Sequence, residues 1–210
     1  MKSIPHVISW NLTKACNLLC THCYLLADNV QLSNQPDTNL PDTAAVQDAP
    51  NFNQVQCGSA NAADELDTEK ALKVIDEIAE LNPNLILILT GGEPLLREDL
   101  FDLSRHAAGK GMMVLLGTNA CLIDDEMAKK LKDNGFSGIG ISLDSVHPEI
   151  HDSIRGAKGS WEKAVEGMKA CKRNGLEIQI QSTVFKKNYD EIPELVAFAN
   201  DMGARVFNLF

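Results

Sequence analysis

From residue 85 onward the chain returns to an apolar run at a near-constant interval, at residues 85–89, 112–116, 139–143, 178–184 and 206–210. Leu85 to Met113 is 28 residues, Met113 to Ile139 is 26 and Ile178 to Val206 is 28; Ile139 to Ile178 is longer, at 39. Between the runs the apolar residues follow a helical period. Leu72, Ile75 and Ile78 follow a candidate N-cap at Thr68, and Ile123, Met127 and Leu131 fall every fourth residue before Gly135. Trp161, Ala164, Val165, Met168 and Cys171 share one face between a Ser160 N-cap and Gly175. Ile192, Leu195, Val196, Ala199 and Met202 form the last face, with Pro193 in the first turn and Gly203 at the end. Near-continuous apolar strands alternating with amphipathic helices predict a parallel sheet covered by helices. Residues 7–12 add a first strand, so the expectation is an α/β fold of six strands and five helices, a partial parallel (β/α)6 TIM-type barrel. A closed eight-fold barrel takes ~250 residues. The chain has 210 and stops inside an apolar run, which predicts a barrel truncated after its sixth strand.

Residues 28–66 interrupt this order. They hold no Lys or Arg, three of the eight prolines and six asparagines, which predicts an irregular insertion between the first strand and the first helix. Charge and hydropathy exclude whole classes of partner. Lys plus Arg is 19 against 29 Asp plus Glu, a net charge of -10 with no basic stripe, which argues against nucleic acid. The longest apolar run, residues 85–89, is far below the ~20 residues that span a bilayer. Residues 1–10 lack a signal-peptide core, so no membrane association and a cytoplasmic location are expected. In a reducing compartment, six cysteines point to metal binding or catalysis before disulfides.

Three of those cysteines lie within eight residues, as Cys16-Asn-Leu-Leu-Cys20-Thr-His-Cys23, directly after the first strand. Thiolates at this spacing suit an iron–sulfur cluster or zinc. With three protein ligands, a 4Fe–4S cluster keeps one iron open to a substrate or cofactor. Zinc would need a fourth ligand, and His22 is poorly placed for it beside Cys23. The plain alternative is three buried structural thiols. Cys171 lies on a helical apolar face and reads as core, Cys121 as structural, and Cys57, in the insertion, as an incidental exposed thiol.

Ligands of parallel β/α barrels bind at the C-terminal ends of the strands. Those ends carry Thr90 and Glu93, Thr118 and Asn119, Ser142 and Asp144, Ser182 and Thr183, and Asn208, around the cysteine loop. Each could merely cap or turn; five strands in succession argue for a binding mouth. Gly91-Gly92 permits positive φ and close approach to a ligand, and Glu93 offers a carboxylate to an ammonium group. Its plain role is that of a first-turn acid.

C-x3-C-x2-C after the first strand, with Thr90-Gly91-Gly92-Glu93-Pro94 closing the second, resembles the radical S-adenosylmethionine (radical SAM) enzymes over nearly the whole chain outside the insertion. The resemblance implies that Cys16, Cys20 and Cys23 are the catalytic metal ligands, holding a 4Fe–4S cluster whose open iron is chelated by the methionine part of SAM. It implies that Gly91, Gly92 and Glu93 contact the methionine amino group. Ser142 and Asp144 would bind around the ribose, Arg155 the methionine carboxylate, and His22 would face the adenine. Asn119 is the weakest match, because relatives commonly have Gly where Ala120 stands and alanine disfavours positive φ. The implied reaction is reductive cleavage of SAM to a 5′-deoxyadenosyl radical that abstracts hydrogen from a substrate. The electron donor would be a flavodoxin or ferredoxin.

Ser9-Trp10-Asn11-Leu12-Thr13, Cys23-Tyr24, Leu96-Arg97, and His151-Asp152 through Arg155-Gly156 resemble the branch that carries a C-terminal SPASM or twitch domain. Residues 159–165 and the ending Phe207-Asn208-Leu209-Phe210 are most similar to enzymes that modify haem precursors. The resulting expectation is a radical SAM core over residues 1–210 with the 28–66 insertion, lacking its C-terminal domain, and acting on a haem or tetrapyrrole precursor. The alternatives are a peptide- or protein-modifying maturase and a non-catalytic zinc-binding β/α module.

Overall fold

The computed structural model describes residues 5–26 and 65–210. Six parallel strands form one sheet in chain order: β1 (Val7–Thr13), β2 (Ile86–Gly91), β3 (Met113–Thr118), β4 (Phe136–Ser142), β5 (Glu177–Ser182) and β6 (Val206–Leu209). Among the described residues β1 and β6 each pair on one side only, so the sheet is an open, partial TIM-type barrel. The α-helices are α1 (Thr68–Leu81), α2 (Leu100–Gly109), α3 (Asp125–Asp133), α4 (Pro148–Arg155), α5 (Ser160–Arg173) and α6 (Ile192–Asp201). That is one more than the sequence predicts. The extra length between β4 and β5 holds two helices, and α4 escapes the periodicity argument because its eight residues bury His151, Asp152 and Arg155 beside Ile154. No helix among the described residues is long and apolar enough to cross a membrane. Of the 28–66 segment only Glu65 and Leu66 are described, so its irregular character and the role of Cys57 lie outside the described residues.

The two faces of the sheet differ in chemistry. Leu87, Leu89, Val114, Leu116, Ile139, Ile141, Ile178 and Ile180 pack with Ile75, Leu103, Leu131, Met168, Cys171 and Leu195 of the helices in one core. Cys171 is therefore a core thiol, as its helical spacing predicts. The opposite face is set by the pairing register, because directly paired residues of parallel strands share a face. One row runs Ser9, Ile88, Leu115, Gly138, and the next runs Asn11, Thr90, then Gly117, Gly140, Gln179, Val206. Ser142, Gln181 and Asn208 continue this face toward the strand ends. It is apolar near the strand starts and polar near the C-terminal ends.

Two helix starts differ from the sequence expectation. Asp67, not Thr68, caps α1, accepting from the Lys70 backbone N–H at 2.9 Å. Ser160 is the first residue of α5, and the cap comes from another helix. The Asp152 carboxylate accepts from Gly159 N–H at 2.6 Å, Ser160 Oγ–H at 2.7 Å and Trp161 N–H at 2.9 Å. Replacing Asp152 by alanine strands these buried donors as well as removing a cap, and should destabilise the fold by about 2–4 kcal/mol. Chemical denaturation will show it as a lowered midpoint at unchanged slope, with Asp152→Asn losing less. At the helix ends Gly135, Gly175 and Gly203 all take positive φ, as their placement predicts.

Ala120, after β3, adopts φ 61 and is the one non-glycine residue with positive φ among those described. The turn after Asn119 therefore keeps the left-handed shape although glycine is absent. The conformation costs ~1–2 kcal/mol for an L-residue. The surroundings hold it there: the Thr118 hydroxyl accepts from Ala120 N–H at 2.9 Å, and the buried methyl joins the core.

Candidate active site

The cysteine loop follows β1 and is clamped from two sides. β1 ends in a register shift, so that Thr13 lies opposite Gly91. Gly92 N–H then donates to Thr13 O at 2.8 Å and Glu93 N–H to Ala15 O at 2.7 Å. A Cβ on Gly91 would sit 2.5 Å from Thr13 O, and one on Gly92 2.3 Å from Ala15 O. The sequence reading assigns these glycines to the approach of a ligand; in the structure the end of β1 fills the space at Gly91 and the start of the cysteine loop the space at Gly92. From the other side, Leu19 N–H donates to Arg155 O at 3.1 Å and Thr21 N–H to Ile154 O at 2.9 Å. The last carbonyls of α4 are orphans of the helix, and the loop satisfies them. Leu18, Cys121 and Ala157 form a small buried cluster against which Cys16 and Cys20 pack. Cys121 is thus a structural thiol beneath the loop, its Sγ directed at Ser160 O, 3.5 Å away.

Arg97 ties in the return from the insertion. Its guanidinium donates to Leu12 O at 3.0 Å and Leu66 O at 2.8 Å, and pairs with Asp99. Glu65 accepts from Thr13 Oγ1 at 2.7 Å and from Lys14 N–H at 3.0 Å.

Glu93 is completely buried. Its carboxylate bridges β2 to the end of β3, accepting from Thr118 Oγ1 at 2.8 Å, Asn119 N–H at 2.9 Å and Leu95 N–H at 3.1 Å. Asn119 Nδ2–H passes the connection to Asn17 Oδ1 in the cysteine loop at 2.8 Å. Glu93 is therefore a hub beneath the loop. Burial pushes its pKa up to about 7 against the three donors, which act in the opposite direction. Above the unfolded value near 4.5 the unfolded chain releases this proton, while the folded chain retains it until about pH 7. Stability should consequently fall as pH rises across that interval, by about 3 kcal/mol from this group. Glu93→Gln should remove that slope, and its –NH2 would face backbone N–H donors, so it also lowers stability at pH 7 by roughly 1–3 kcal/mol. Thermal unfolding of both proteins between pH 4.5 and 8 checks the sign.

A second network surrounds Asp144, which is also completely buried. Oδ1 accepts from Thr183 N–H at 3.0 Å, the backbone carbonyl accepts from Asn188 Nδ2–H at 2.7 Å, and the backbone N–H donates to His151 Nδ1 at 3.2 Å. Arg155 Nη2 lies 2.7 Å from Asp144 Oδ2, and Nη1 lies 3.8 Å from Cys20 Sγ. Arg155 is 7% exposed and so is a buried cation, not an exposed loop arginine. His151 is kept neutral, its pKa pushed down to about 3 by burial and then by the Arg155 charge. Ser142, at the end of β4, is half-buried. His22 packs its ring against Phe185, with centroids 5.2 Å apart. Sequence reasoning gave no site role to Asn17, Asn188 or Phe185, and took His151 only as part of a branch motif. Only the fold shows that an asparagine in the cysteine loop meets one after β3.

Cys16, Cys20 and Cys23 are half-buried free thiols. Burial pushes the Cys16 thiol up to about 12 and raises that of Cys20, against which the Arg155 charge acts. A bound metal reverses this order, since a coordinating thiol is deprotonated outright. Among the described residues no three His, Cys, Asp or Glu side chains converge on one point as ligands of a single ion would. An iron–sulfur cube takes each thiolate on a different iron and needs no such convergence.

The fit to a further ligand rests on hydrogen bonds left unmade. Five buried side-chain atoms among the described residues lack a partner: Asn17 Nδ2, His22 Nδ1, Asp144 Oδ2, Arg155 Nε and Ser182 Oγ. All belong to the cysteine loop or to segments at the C-terminal end of the sheet. The Arg155–Asp144 pair is close but not aligned as a hydrogen bond, so Oδ2 remains open. Buried polar atoms are seldom unpaired without a cause. Donors and acceptors here match a zwitterionic, hydroxyl-bearing ligand beside a thiolate-bound cluster.

The comparisons with known proteins agree. The chain is 35% identical over 189 residues to the Fe-coproporphyrin III synthase of Methanosarcina barkeri, covering 90% of this chain and 39% of that protein. It is 32% identical over 210 residues to the AdoMet-dependent heme synthase of the same organism, covering 100% of this chain and 51% of that protein. The chain therefore spans about half or less of the length of these curated relatives. Native anSMEcpe, solved with bound AdoMet and the Cp18Cys peptide, shares the fold at a TM-score of 0.66 and 21% identity, over 97% of this chain and 49% of that one. The Radical SAM superfamily model matches residues 10–199, from within β1 to within α6. The match spans the strands and helices that set the three-thiol loop at the mouth of the open sheet, and this chain belongs to the radical SAM superfamily.

Proposed function

We propose that this chain is the catalytic core of an enzyme that cleaves S-adenosylmethionine reductively and acts on a haem or tetrapyrrole precursor. The observation that carries it is the agreement, along nearly the whole chain, with two relatives whose names specify coproporphyrin and heme synthesis. In this reading Cys16, Cys20 and Cys23 hold the 4Fe–4S cluster. Bound there, the cluster would supply the electron for reductive cleavage of the sulfonium C–S bond of SAM to methionine and a 5′-deoxyadenosyl radical. Arg155, through its open Nε, would hold the methionine carboxylate, and the backbone of the Gly91–Glu93 turn would hold the ammonium. Asp144 Oδ2, Ser142 and Ser182 serve the ribose hydroxyls, and His22, backed by Phe185, borders the adenine. Asn119 positions Asn17 and, through it, the loop. The side of the sheet bearing Asn11, Thr90, Gln179, Gln181 and Asn208 receives the substrate. A flavodoxin- or ferredoxin-type donor in a reducing compartment completes the reading, as does a SPASM- or twitch-type domain beyond residue 210.

A second reading is favoured by that same face. Its paired rows carry the amides Gln179, Gln181 and Asn208 and no Lys or Arg, which suits a peptide backbone better than a polycarboxylate. One experiment separates the two. The protein is reconstituted anaerobically with iron and sulfide, reduced with dithionite and given SAM, with Fe-coproporphyrin III or a precursor peptide added. Formation of 5′-deoxyadenosine that rises with the porphyrin supports the first reading, and a rise with the peptide alone supports the second. Colourless protein with stoichiometric zinc and no 5′-deoxyadenosine overturns both and leaves a zinc-binding module.

A further inference from the structure

We propose that Arg155 tunes the reduction potential of the cluster by donating a charged hydrogen bond to the Cys20 thiolate, and that Asp144 holds it there and moderates its effect. The proposal rests on the cluster assignment above and assigns to Arg155 a task separate from contact with SAM.

The geometry gives the guanidinium two partners and leaves its third nitrogen open. Nη2 faces Asp144 Oδ2 at 2.7 Å, Nη1 faces Cys20 Sγ at 3.8 Å, and Nε is buried without a partner. The main chain fixes the same residue to the same loop, since Arg155 O accepts from Leu19 N–H at 3.1 Å, one residue before Cys20. The next residue, Gly156, turns the chain with φ 67 and lets Leu19 O approach. The main chain of Arg155 is therefore docked to the loop, and the Asp144 carboxylate holds the guanidinium beside the sulfur. Asp144 is anchored in turn by Thr183 N–H and by Asn188.

Reduction adds one electron to the cluster and makes it more negative. A fixed cation that hydrogen-bonds a ligating sulfur stabilises the reduced state and raises the potential. Arginine stays protonated throughout, so the effect does not depend on pH. Burial strengthens it, because little water screens the pair. The Asp144 carboxylate opposes it with a negative charge behind the guanidinium. The two residues therefore act with opposite signs, although both help to hold the same structure.

Opposite signs give the test. Wild type, Arg155→Gln, Arg155→Lys and Asp144→Asn are reconstituted anaerobically in the full chain. Cluster content is read from iron, sulfide and visible absorbance, and the midpoint potential from a redox titration followed by electron paramagnetic resonance. Arg155→Gln should lower the reduced-to-oxidised ratio at a fixed potential about tenfold, a fall of about 59 mV for one electron. Arg155→Lys should fall less, since it keeps the charge and loses the fork. Asp144→Asn should rise. Loaded variants that titrate at the wild-type potential, or that all shift in one direction, overturn the proposal. So does a folded set of variants that binds no cluster, which would make the pair a clamp on the loop and nothing more. Wild type that binds no cluster overturns the radical SAM reading as well, which distinguishes the two failures.

Discussion

Alanine at Cys16, Cys20 or Cys23 will give protein that folds, retains little iron after desalting and makes no 5′-deoxyadenosine. Three thiolates leave no redundancy, and removing one opens a second iron to solvent. Changing an outer partner of a metal ligand alone costs ~10–100-fold in affinity, so losing a ligand should exceed that. The thiols are not needed to build the barrel. Cys16 and Cys20 pack on the small Leu18–Cys121–Ala157 cluster, separate from the main core. Thermal midpoints of the cluster-free proteins should therefore stay within a few degrees of one another, while iron content and SAM cleavage collapse. Cys57→Ala is the matched control and should keep both. Loss of cleavage on Cys57→Ala with the three loop cysteines intact would refute the assignment of ligands.

Gly156→Ala should be the most damaging change outside the cysteines. The residue has φ 67, and a Cβ would stand 2.3 Å from Leu19 O. The left-handed backbone costs an L-residue ~1–2 kcal/mol. The clash must push the cysteine loop off the end of α4, adding ~1–3 kcal/mol of strain. For a chain of this size 1 kcal/mol corresponds to ~2–4 °C, so a fall in melting temperature of roughly 5–15 °C is expected, together with poor cluster retention. Gly175→Ala separates the two contributions, because its φ is 70 but nothing lies within 4 Å of the added Cβ. It should cost the backbone part alone and leave the cluster in place. Gly92→Ala tests the opposite clamp, where Ala15 O stands 2.3 Å from the added Cβ. Equal losses in Gly156→Ala and Gly175→Ala would show that the loop does not depend on this contact.

The fold was readable because burial imposes a period. The strand order follows from apolar runs returning every 26–28 residues, and the helix stops from Gly135, Gly175 and Gly203. The periodicity failed at α4, whose buried face is half polar and so carries no apolar stripe. It also misplaced the caps of α1 and α5. In α5 the capping carboxylate, Asp152, belongs to a different helix, and local sequence cannot announce a partner that arrives through space.

The sequence by itself determined the cysteine loop, the polar mouth and the strand that carries each member, because these follow from residue type and spacing. It also singled out Gly91 and Gly92 as unusual, and passed over the left-handed Gly156. The tertiary structure alone decided what they do. Gly91 admits the backbone at the end of β1 and Gly92 that of the cysteine loop, and the Glu93 carboxylate turns inward to Thr118 and Asn119. Arg155, 135 positions from Cys20, reaches its sulfur only when α4 returns across the end of the sheet. Spacing tells which groups share a face, but a buried polar side chain is oriented by the donors and acceptors left around it. Those come from segments far apart in the chain and exist as a set only in the folded protein.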